Sequence, residues 1–330
     1  MIYATVVLAA VLASASAGIF PEDPSQQKAL WETFKQKFVK NYQTMDEETK
    51  RFGHFLENLK QADRRNELEL RNGGTAVHGI TILSDLSQVE FEAGFLTADV
   101  NMKTDENREY WTMDKALEGT LGTTKDWVTA GKTTAVKDQG YCGSCWAFSA
   151  TEQIESDAII ANKLSKNTPL SPEQVTQCTT GSHGCNGGWT EKAYKYVQSV
   201  KGLVTDATYP YTSYQGTTGT CKVDTSKAVV GITGYTTVSG EQNMANYMLS
   251  SGPLSVCLDA SSWNSYTGGI MSVCGKSVDH CVQAVGVDTT SYWKVRNSWG
   301  TKWGESGYIR LKYGQNTCAI TNDPTFVKIA

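Results

Sequence analysis

The chain has 330 residues, 40% of them hydrophobic, and a formal net charge of −4 at pH 7. That length can bury one or two substantial cores, and the near-neutral charge without a basic patch argues against a nucleic-acid-binding protein. All nine cysteines follow position 141, whereas residues 18 to about 120 are charged and free of cysteine. We therefore expect two functionally distinct segments.

The first 17 residues are typical of a secretory signal peptide. An apolar run from Val6 to Leu12 precedes Ala15-Ser16-Ala17, the small residues expected at a cleavage site. The run is shorter than the roughly 18 apolar residues that a membrane-spanning helix needs, and no later run reaches that length. We expect cleavage after Ala17, entry into the secretory pathway and no membrane attachment. Lysosome, vacuole and extracellular space all stay open as destinations.

A long helix is predicted in the cysteine-free segment. Six residues recur at spacings of four, four, three, four and four, which places them on one face. They are Glu47, Arg51, Phe55, Asn58, Ala62 and Asn66. Because this face mixes charged, amide and apolar side chains, it is suited to contact another surface. An ordinary amphipathic surface helix is the alternative.

A polar stretch from about Thr97 to Thr124 follows, with a charged run at 103–109. We expect this linker to be exposed and cut by proteolysis. The new N-terminus should then lie between Glu118 and Thr124.

Cys145 is the candidate nucleophile. Gly143 and Ser144 supply a turn and a cap-type residue before it. The apolar residues behind it recur at helical spacing: Ala147, Ala150, Ile154, Ala158 and Ala161. We therefore expect Cys145 at a helix N-terminus, where unpaired N–H groups favour the thiolate. A Cys-x-x-Cys redox pair with Cys142, or half of a zinc site, is the alternative; since no second Cys-x-x-Cys occurs, we expect no bound metal.

Two histidines of the C-terminal segment are candidate bases. His183 lies in a loop rich in glycine and serine, where solvent exposure is expected. His280 precedes an apolar run, 281–287, that predicts a buried strand. A histidine at a strand start is more often structural, so its case depends on its spacing from Cys145 and Asn297.

That spacing resembles the papain-like cysteine peptidases. Cys-Gly-Ser-Cys-Trp stands at 142–146, and His280 and Asn297 follow Cys145 by 135 and 152 residues. The resemblance covers nearly the whole chain.

The N-terminal helix face is similar to the propeptide motif of the cathepsin L-like members, with Ala62 at the isoleucine position. A second propeptide element is weaker, because residues 79–85 depart from it at Thr81 and Leu83. The resemblance implies that this prodomain folds on the enzyme and runs through its cleft.

The resemblance implies a cysteine endopeptidase that forms a thioacyl-enzyme at Cys145. His280 would take the thiol proton and later protonate the leaving amine, while Asn297 orients the ring. The Gln139 amide would join the Cys145 N–H in the oxyanion hole. Trp299 would shield the contact between Asn297 and His280 from water.

Substrate-binding residues are also implied by the resemblance. Gly187 and Gly188 would hold an extended substrate through their backbone. The set around the second specificity pocket, which binds the residue two places before the scissile bond, comprises Trp189, Cys257, Cys281 and Asp323. Asp279 is a further substrate-binding candidate. An acid at Asp323 would accept lysine or arginine beside leucine or phenylalanine. A surface aspartate that turns the chain before Pro324 is the alternative.

Nine cysteines in an oxidising compartment leave at least one unpaired. With Cys145 set aside, eight allow 105 arrangements. The resemblance implies three pairs: Cys142 with Cys185, Cys178 with Cys221, and Cys274 with Cys318. Cys257 and Cys281 would form a fourth bond if their α-carbons lie within about 7 Å, and otherwise remain buried thiols. We favour the bond.

The implied fold is α+β: a papain-like enzyme of two lobes preceded by a helical prodomain. The domains are 1–17 signal peptide, 18–121 prodomain and linker, and 122–330 mature peptidase. We expect a helical lobe over about 122–230 and a β-barrel-like lobe over about 231–318. The cleft should lie between them, and the terminal segments should cross over.

The expected partners are protein or peptide substrates and the prodomain itself, with no cofactor, no nucleic acid, no membrane and a monomeric enzyme. Because no paired-histidine insertion is present, endopeptidase activity is the default. A catalytically silent homologue that binds or inhibits is the alternative, as is a disulfide-rich structural protein. Residues from 122 on carry 17 Lys/Arg and 15 Asp/Glu, a charge of +2, which leaves −6 for residues 1–121. Acid weakens that attraction, so acid-triggered maturation is our hypothesis.

Overall fold

The computed structural model describes residues 18–99, 101, 108–117 and 119–330. The expected signal peptide, 1–17, lies outside the described residues, as do residues 103–107 of the charged linker run. None of the described helices is long and apolar enough to cross a membrane.

Two helices that pack on each other open the described chain. α1 spans Pro24–Phe38 and α2 spans Met45–Arg71, and they begin at the capping side chains of Asp23 and Thr44. Their contact is a largely aromatic cluster of buried residues: Trp31, Phe34, Phe38, Phe55 and Leu59. Because this cluster is separate from the cores of the C-terminal part, the N-terminal segment has a small core of its own.

The mixed face of α2 holds the following segment, which contains β1 (Val77–His78) and α3 (Gln88–Phe95). Arg51 Nη1 lies 2.8 Å from Glu90 Oε2. Asn58 Nδ2 donates to the carbonyls of the segment at Ser84 (2.9 Å) and Leu86 (2.7 Å). The charged and amide residues of this face therefore hold residues 79–95 by an ion pair and by hydrogen bonds to backbone carbonyls.

The two departures from the second propeptide element are both buried. Thr81 Oγ1 donates to the carbonyl of Asn264, and Leu83 packs into a core of the C-terminal part. Thr81 and Leu83 thus both contribute to the contact between the N-terminal segment and the C-terminal part.

The helical lobe is built around α4 (Cys145–Ile160), with α5 (Pro172–Cys178) and α6 (Thr190–Ser199) beside it. Our pattern marked one apolar face of α4, but the helix is buried on every side from Cys145 to Ile159. The difference arises because buried ion pairs cover its polar face. Glu155 lies 2.6 Å from Lys137 Nζ.

The β-rich lobe is one mixed sheet with a large core of its own. Its strands are β2 (Thr124–Asp126), β3 (Ile232–Thr237), β4 (Leu254–Leu258), β6 (Ile270–Met271), β7 (His280–Asp288), β8 (Tyr292–Arg296), β9 (Tyr308–Lys312) and β10 (Thr325–Ile329). Their order is β3-β10-β4-β7-β8-β9-β6, and β2 pairs with β7. A separate strand, β5 (Tyr266–Gly268), pairs antiparallel with β1 of the N-terminal segment. α7 (Glu241–Ser250) packs on the sheet core.

The terminal segments cross between the lobes. β2 joins the sheet through β7, and Trp127 just after it belongs to the sheet core. β10 also lies in the sheet, yet its Val327 packs in the helical-lobe core. The boundaries near 122–230 and 231–318 therefore describe the middle of each lobe and not its ends.

Eight cysteines form four disulfides in the described chain. They are Cys142–Cys185, Cys178–Cys221, Cys274–Cys318 and Cys257–Cys281. The last joins facing residues of β4 and β7, whose α-carbons are 4.0 Å apart. Among the described residues Cys145 is the cysteine that stays outside a disulfide, so the redox pair between Cys142 and Cys145 is not formed.

Candidate active site

The thiol at the start of α4 is fully buried. Cys145 is the first residue of the helix and has an exposed fraction of 0%. Ser144, at the cap position, does not cap the helix with its side chain; its Oγ lies 2.8 Å from the hydroxyl of Tyr211. The Trp146 N–H in the first turn of α4 lies near the thiol and favours negative charge there.

His280 is the first residue of β7 and is also fully buried. Its Nε2 lies 2.8 Å from Asn297 Oδ1, and the same oxygen accepts the backbone N–H of Ser298 at 2.8 Å. Because a carboxamide oxygen only accepts, Nε2 carries the hydrogen and Nδ1 of the neutral ring is left free to accept a proton. Nδ1 makes no hydrogen bond to any residue that the structure describes.

Tryptophans enclose this pair. The Trp299 ring centroid is 4.9 Å from that of His280, and the Trp263 centroid is 6.1 Å away at a steep angle. Trp299 in turn contacts Trp303 at 4.9 Å. The contact between His280 and Asn297 therefore lies in an apolar environment, where a hydrogen bond is electrostatically stronger than in water.

Gln139 presents its amide nitrogen to the same region. Ser298 Oγ donates to Gln139 Oε1 at 2.6 Å, which fixes the amide so that Nε2 points the other way. Nε2 donates to the carbonyl of Cys142 at 2.8 Å and lies 3.4 Å from the carbonyl oxygen of Phe95. The carbonyl oxygen of Phe95, in the N-terminal segment, therefore lies next to the Gln139 amide nitrogen.

The N-terminal segment passes directly over the Cys145 thiol. After Phe95, Thr97 Oγ1 donates to the carbonyl of Gly143 at 2.6 Å. Ala98 N–H donates to the carbonyl of Asp279 at 2.9 Å, and Asp99 N–H to that of Gly188 at 3.3 Å. Residues 95–99 therefore lie between the two lobes and cover the thiol.

This covering sets the charge state of the pair. Burial raises the pKa of the Cys145 thiol to about 11, against the opposing effect of nearby backbone N–H groups. Burial lowers the pKa of His280 to about 4, although the hydrogen bond with Asn297 acts to raise it. In this covered state desolvation outweighs the helix N-terminus, and both shifts favour the neutral forms of the two groups around pH 7. The thiolate expected of the uncovered enzyme stays a prediction.

The two glycines expected to bind substrate contact the covering segment. Gly187 has φ of +119°, and a Cβ there would lie 2.5 Å from the carbonyl oxygen of Thr97. A Cβ on Gly188 would lie 2.4 Å from the indole of Trp146. Both positions therefore require glycine for the close backbone approach.

The expected pocket residues surround a buried ion pair. Asp323 is fully buried in the zymogen and is not a surface aspartate there. Its Oδ2 accepts the Trp189 indole N–H at 2.9 Å, and its Oδ1 lies 2.7 Å from Arg108 Nη1. Arg108 Nη2 is also 2.5 Å from the buried Glu191 carboxylate. Part of the linker that we expected to be exposed is therefore anchored in the peptidase.

The remaining substrate-binding candidates lie close to the nucleophile. Cys257 and Cys281 are fully buried in the same core as Cys145 and Trp189. Burial raises the pKa of the Asp279 carboxyl to about 7, and its Oδ1 accepts the N–H of Ala260. His183, by contrast, is exposed, as expected.

Two polar residues that hold the site together were missed in the sequence. Ser298 contacts both Asn297 and Gln139, and Glu191 supplies the second carboxylate to Arg108. Ser298 is adjacent to Asn297, so its place beside the site could have been inferred. Glu191 gave no signal, since an acid in the first turn of a helix is usually solvated.

Family comparisons agree with this geometry. Residues 121–328 match the model of the papain family of cysteine proteases, and residues 31–91 match that of the cathepsin propeptide inhibitor domain. The chain belongs to the papain family of cysteine proteases. It is a cysteine peptidase whose N-terminal segment is an inhibitory prodomain, which confirms the family and the α+β two-lobe fold expected from the sequence.

Similar proteins span most of the chain. Cysteine proteinase 2 of Leishmania pifanoi is 37% identical over 97% of this chain and 72% of its own length. Digestive cysteine proteinase 1 of Homarus americanus is 36% identical over 90% of this chain and 93% of its own. Among solved structures, digestive procathepsin L2 of Tenebrio molitor aligns with a TM-score of 0.81 at 30% identity, covering 92% of this chain and 99% of that one.

Replacing the amide donor tests the oxyanion arrangement. We expect Gln139→Ala to lower kcat of the mature enzyme by about 100- to 1,000-fold, because one donor to the developing negative charge is lost. Alkylation of Cys145 should persist, since it develops no oxyanion.

Steady-state kinetics and thiol titration of the same preparation measure both effects. Gln198→Ala, which removes an exposed glutamine of α6, is the control and should leave kcat within about twofold. A normal kcat for Gln139→Ala would contradict the assignment.

Proposed function

We propose that this protein is a secreted cysteine endopeptidase made as a zymogen. Once the prodomain leaves, the Cys145 thiol transfers its proton to His280 Nδ1, and the thiolate attacks a peptide carbonyl. The Gln139 amide and the Cys145 N–H stabilise the oxyanion. The imidazolium then protonates the leaving amine, and water hydrolyses the thioacyl-enzyme with His280 as base.

The observation that carries this proposal is the hydrogen-bonded arrangement of His280, Asn297, Ser298 and Gln139 beside a buried thiol. Asn297 suits the role because a neutral amide leaves the proton on the ring, whereas a carboxylate would add a buried charge. A second observation supports internal cleavage. The prodomain continues past the thiol on both sides, from Phe95 to Asp99, so the cleft accommodates a chain without an end there.

The proposal includes the cellular route. We propose that residues 1–17 are removed on secretion, that cleavage near 118–124 frees the mature enzyme over about 122–330, and that it works as a monomer on protein or peptide substrates. Its destination is the lysosome or vacuole, or the extracellular space. A catalytically silent binding homologue is the alternative, which the retained Cys145, His280, Asn297 and Gln139 disfavour.

Labelling of the nucleophile separates these alternatives. We expect a thiol-reactive epoxide to modify Cys145 of the mature protein at least about 100-fold faster than in the zymogen at pH 7.5, because burial keeps the zymogen thiol protonated.

Mass spectrometry of the labelled peptide, with hydrolysis of a dipeptide amide in parallel, gives the measurement. Cys145→Ser is the control and should take no label. A mature protein that is neither labelled nor hydrolytic would support the silent homologue instead.

The buried pocket acid should set specificity. We propose that Asp323 accepts a basic side chain in the second specificity pocket, as it accepts Arg108 of the linker in the zymogen. Asp323→Ala should therefore lower kcat/KM for Arg-Arg relative to Phe-Arg dipeptide amides by about tenfold or more, because a charge-assisted bond is lost.

The ratio of the two kcat/KM values is the measurement, so a partly inactive preparation does not affect it. Asp224→Ala, which removes an exposed carboxylate, is the control. An unchanged ratio in Asp323→Ala would show that the acid does not face the substrate.

A further inference from the structure

An aromatic ring of the prodomain fills a gap between two aromatic residues of the peptidase. The Phe95 centroid lies 5.8 Å from Trp299 and 5.8 Å from Tyr141, edge-to-face in both cases. Phe91 makes a further edge contact with Trp299 at 5.4 Å. The backbone follows the same surface, since a Cβ on Gly94 would lie 2.3 Å from the Tyr141 ring.

The order of contacts along the prodomain places this gap relative to the nucleophile. The Phe95 carbonyl faces Gln139, and Thr97 contacts Gly143, two residues before Cys145. The next residues, 98 and 99, lie against Gly188. The gap filled by Phe95 is therefore on the opposite side of the thiol from the glycines that we propose hold the acyl part of the substrate.

Tyr141 is held rigidly enough to act as a wall. Its N–H donates to the carbonyl of Tyr214 at 2.8 Å, and the neighbouring Cys142 is tied down by a disulfide. Tyr141 is 43% exposed even beneath the prodomain, and its hydroxyl donates to the prodomain carbonyl of Glu90 at 3.2 Å. Loss of the prodomain uncovers both this ring and Trp299, and two uncovered aromatic faces favour a third aromatic ring.

We propose that Tyr141, together with Trp299, determines a preference for an aromatic residue on the leaving-group side of the scissile bond, in the gap that Phe95 fills in the zymogen. The inference rests on the proposed endopeptidase function. It adds a specificity-determining residue for that reaction.

Paired peptides test the preference. Two internally quenched peptides differ only in carrying Phe or Ala at the first two leaving-group positions. We expect the mature enzyme to cleave the Phe peptide with the higher kcat/KM, and Tyr141→Ser to lower the Phe-to-Ala ratio by about three- to tenfold, the effect of one lost aromatic contact. Tyr141→Phe should retain the ratio, because the ring and not the hydroxyl makes the contact.

A dipeptide amide with a fluorescent amine as leaving group is the internal control. It carries no residue in the gap, so its kcat/KM should stay within about twofold in Tyr141→Ser. Tyr214→Ser, at the neighbouring exposed tyrosine, should leave the ratio unchanged. An unchanged ratio in Tyr141→Ser with normal amide hydrolysis would overturn this inference alone, whereas a wild-type protein that cleaves no substrate would overturn the proposed function.

A second inference concerns a histidine at the contact between prodomain and peptidase. His78, in β1, is 1% exposed, and its Nδ1 lies 2.9 Å from Ser265 Oγ of the peptidase. Asn66 of α2 holds its backbone, accepting the His78 N–H at 2.7 Å and donating to its carbonyl at 2.9 Å. The ring is therefore fixed by both partners of the contact.

The charges around this ring are unfavourable to a proton. From α2, Arg64, Arg65 and Glu69 line the same cavity of about 310 Å³ as His78, and Tyr266 of β5 is its neutral neighbour in the strand pairing. Arg65 is nearest and adds positive charge at the ring.

The Glu69 carboxylate at this cavity is engaged in hydrogen bonds with other residues. Glu69 accepts the N–H groups of Ser272 (2.9 Å) and Val273 (2.9 Å) and the hydroxyl of Ser272 (2.7 Å). Burial, with Arg65 adding to it, lowers the pKa of His78 to about 3.

The sign of the pH effect follows from proton binding. A released prodomain exposes His78, whose ordinary pKa is about 6.5, so the released state binds a proton that the docked state refuses. Docking is therefore fully favoured above about pH 6.5 and weakens as the pH falls from there towards 3. At pH 4.5 the docking equilibrium should be weaker by about 100-fold.

We propose that His78 is a proton-operated release switch of the prodomain. The overall charges suggested acid-triggered maturation, and His78 is a specific residue that would produce it. This inference does not depend on the aromatic gap.

Labelling of uncleaved zymogen measures release directly. We expect the ratio of epoxide labelling rates at pH 4.5 and 7.5, corrected for the mature enzyme's own pH profile, to fall by about tenfold or more in His78→Asn. Asn keeps a neutral polar group near Ser265 but does not titrate. If the substitution loosens the prodomain equally at both pH values, both labelling rates rise by the same factor and their ratio is unaffected.

His54→Asn is the matched control, since His54 is the other histidine of α2 and β1 and lies 3.7 Å from Glu90 inside the prodomain. It should keep the wild-type ratio. A wild-type ratio in His78→Asn would overturn the switch.

Discussion

The hydrogen bond between His280 Nε2 and Asn297 Oδ1 is the contact on which the arrangement of the site depends. It fixes the tautomer, so that the other ring nitrogen is left free to accept a proton. The Ser298 N–H shares the same oxygen, and the Ser298 hydroxyl fixes Gln139. The two residues that follow β8, Asn297 and Ser298, thus orient together the ring and the amide that we propose as base and oxyanion donor.

Removal of water from the site opposes the charged forms of Cys145 and His280. The prodomain removes water from Cys145 and His280, and both become neutral. The segment 95–99 therefore acts in two ways: it fills the cleft, and through burial it disfavours the thiolate–imidazolium pair that the proposed chemistry requires. Backbone N–H groups near the sulfur, including that of Thr97 in this segment, act in the opposite direction and do not outweigh burial.

The resemblance singled out Cys145, His280 and Asn297 in advance, and the fold brings His280 against Asn297 as expected; their catalytic roles stay a prediction. The two-lobe fold and the prodomain followed from the same resemblance. The buried polar face of α4 could not be predicted, because Glu155 is neutralised by Lys137, whose proximity exists only in the folded chain. Arg108 likewise looked like one charge of a solvated linker, and only the fold brings it to two buried carboxylates.

The anchoring of Arg108 bears on the order of events in activation. The inhibitory helices end before residue 100, while the arginine that occupies the pocket lies beyond it, and Tyr110 pairs with Thr237 at the edge of the sheet. A cut before Arg108 would therefore leave this arginine joined to the peptidase, on the two carboxylates that it pairs with here. A cut near 118–124, as we propose for maturation, would release the inhibitory helices and Arg108 together, so the position of the cut decides whether these two buried acids lose their counter-ion.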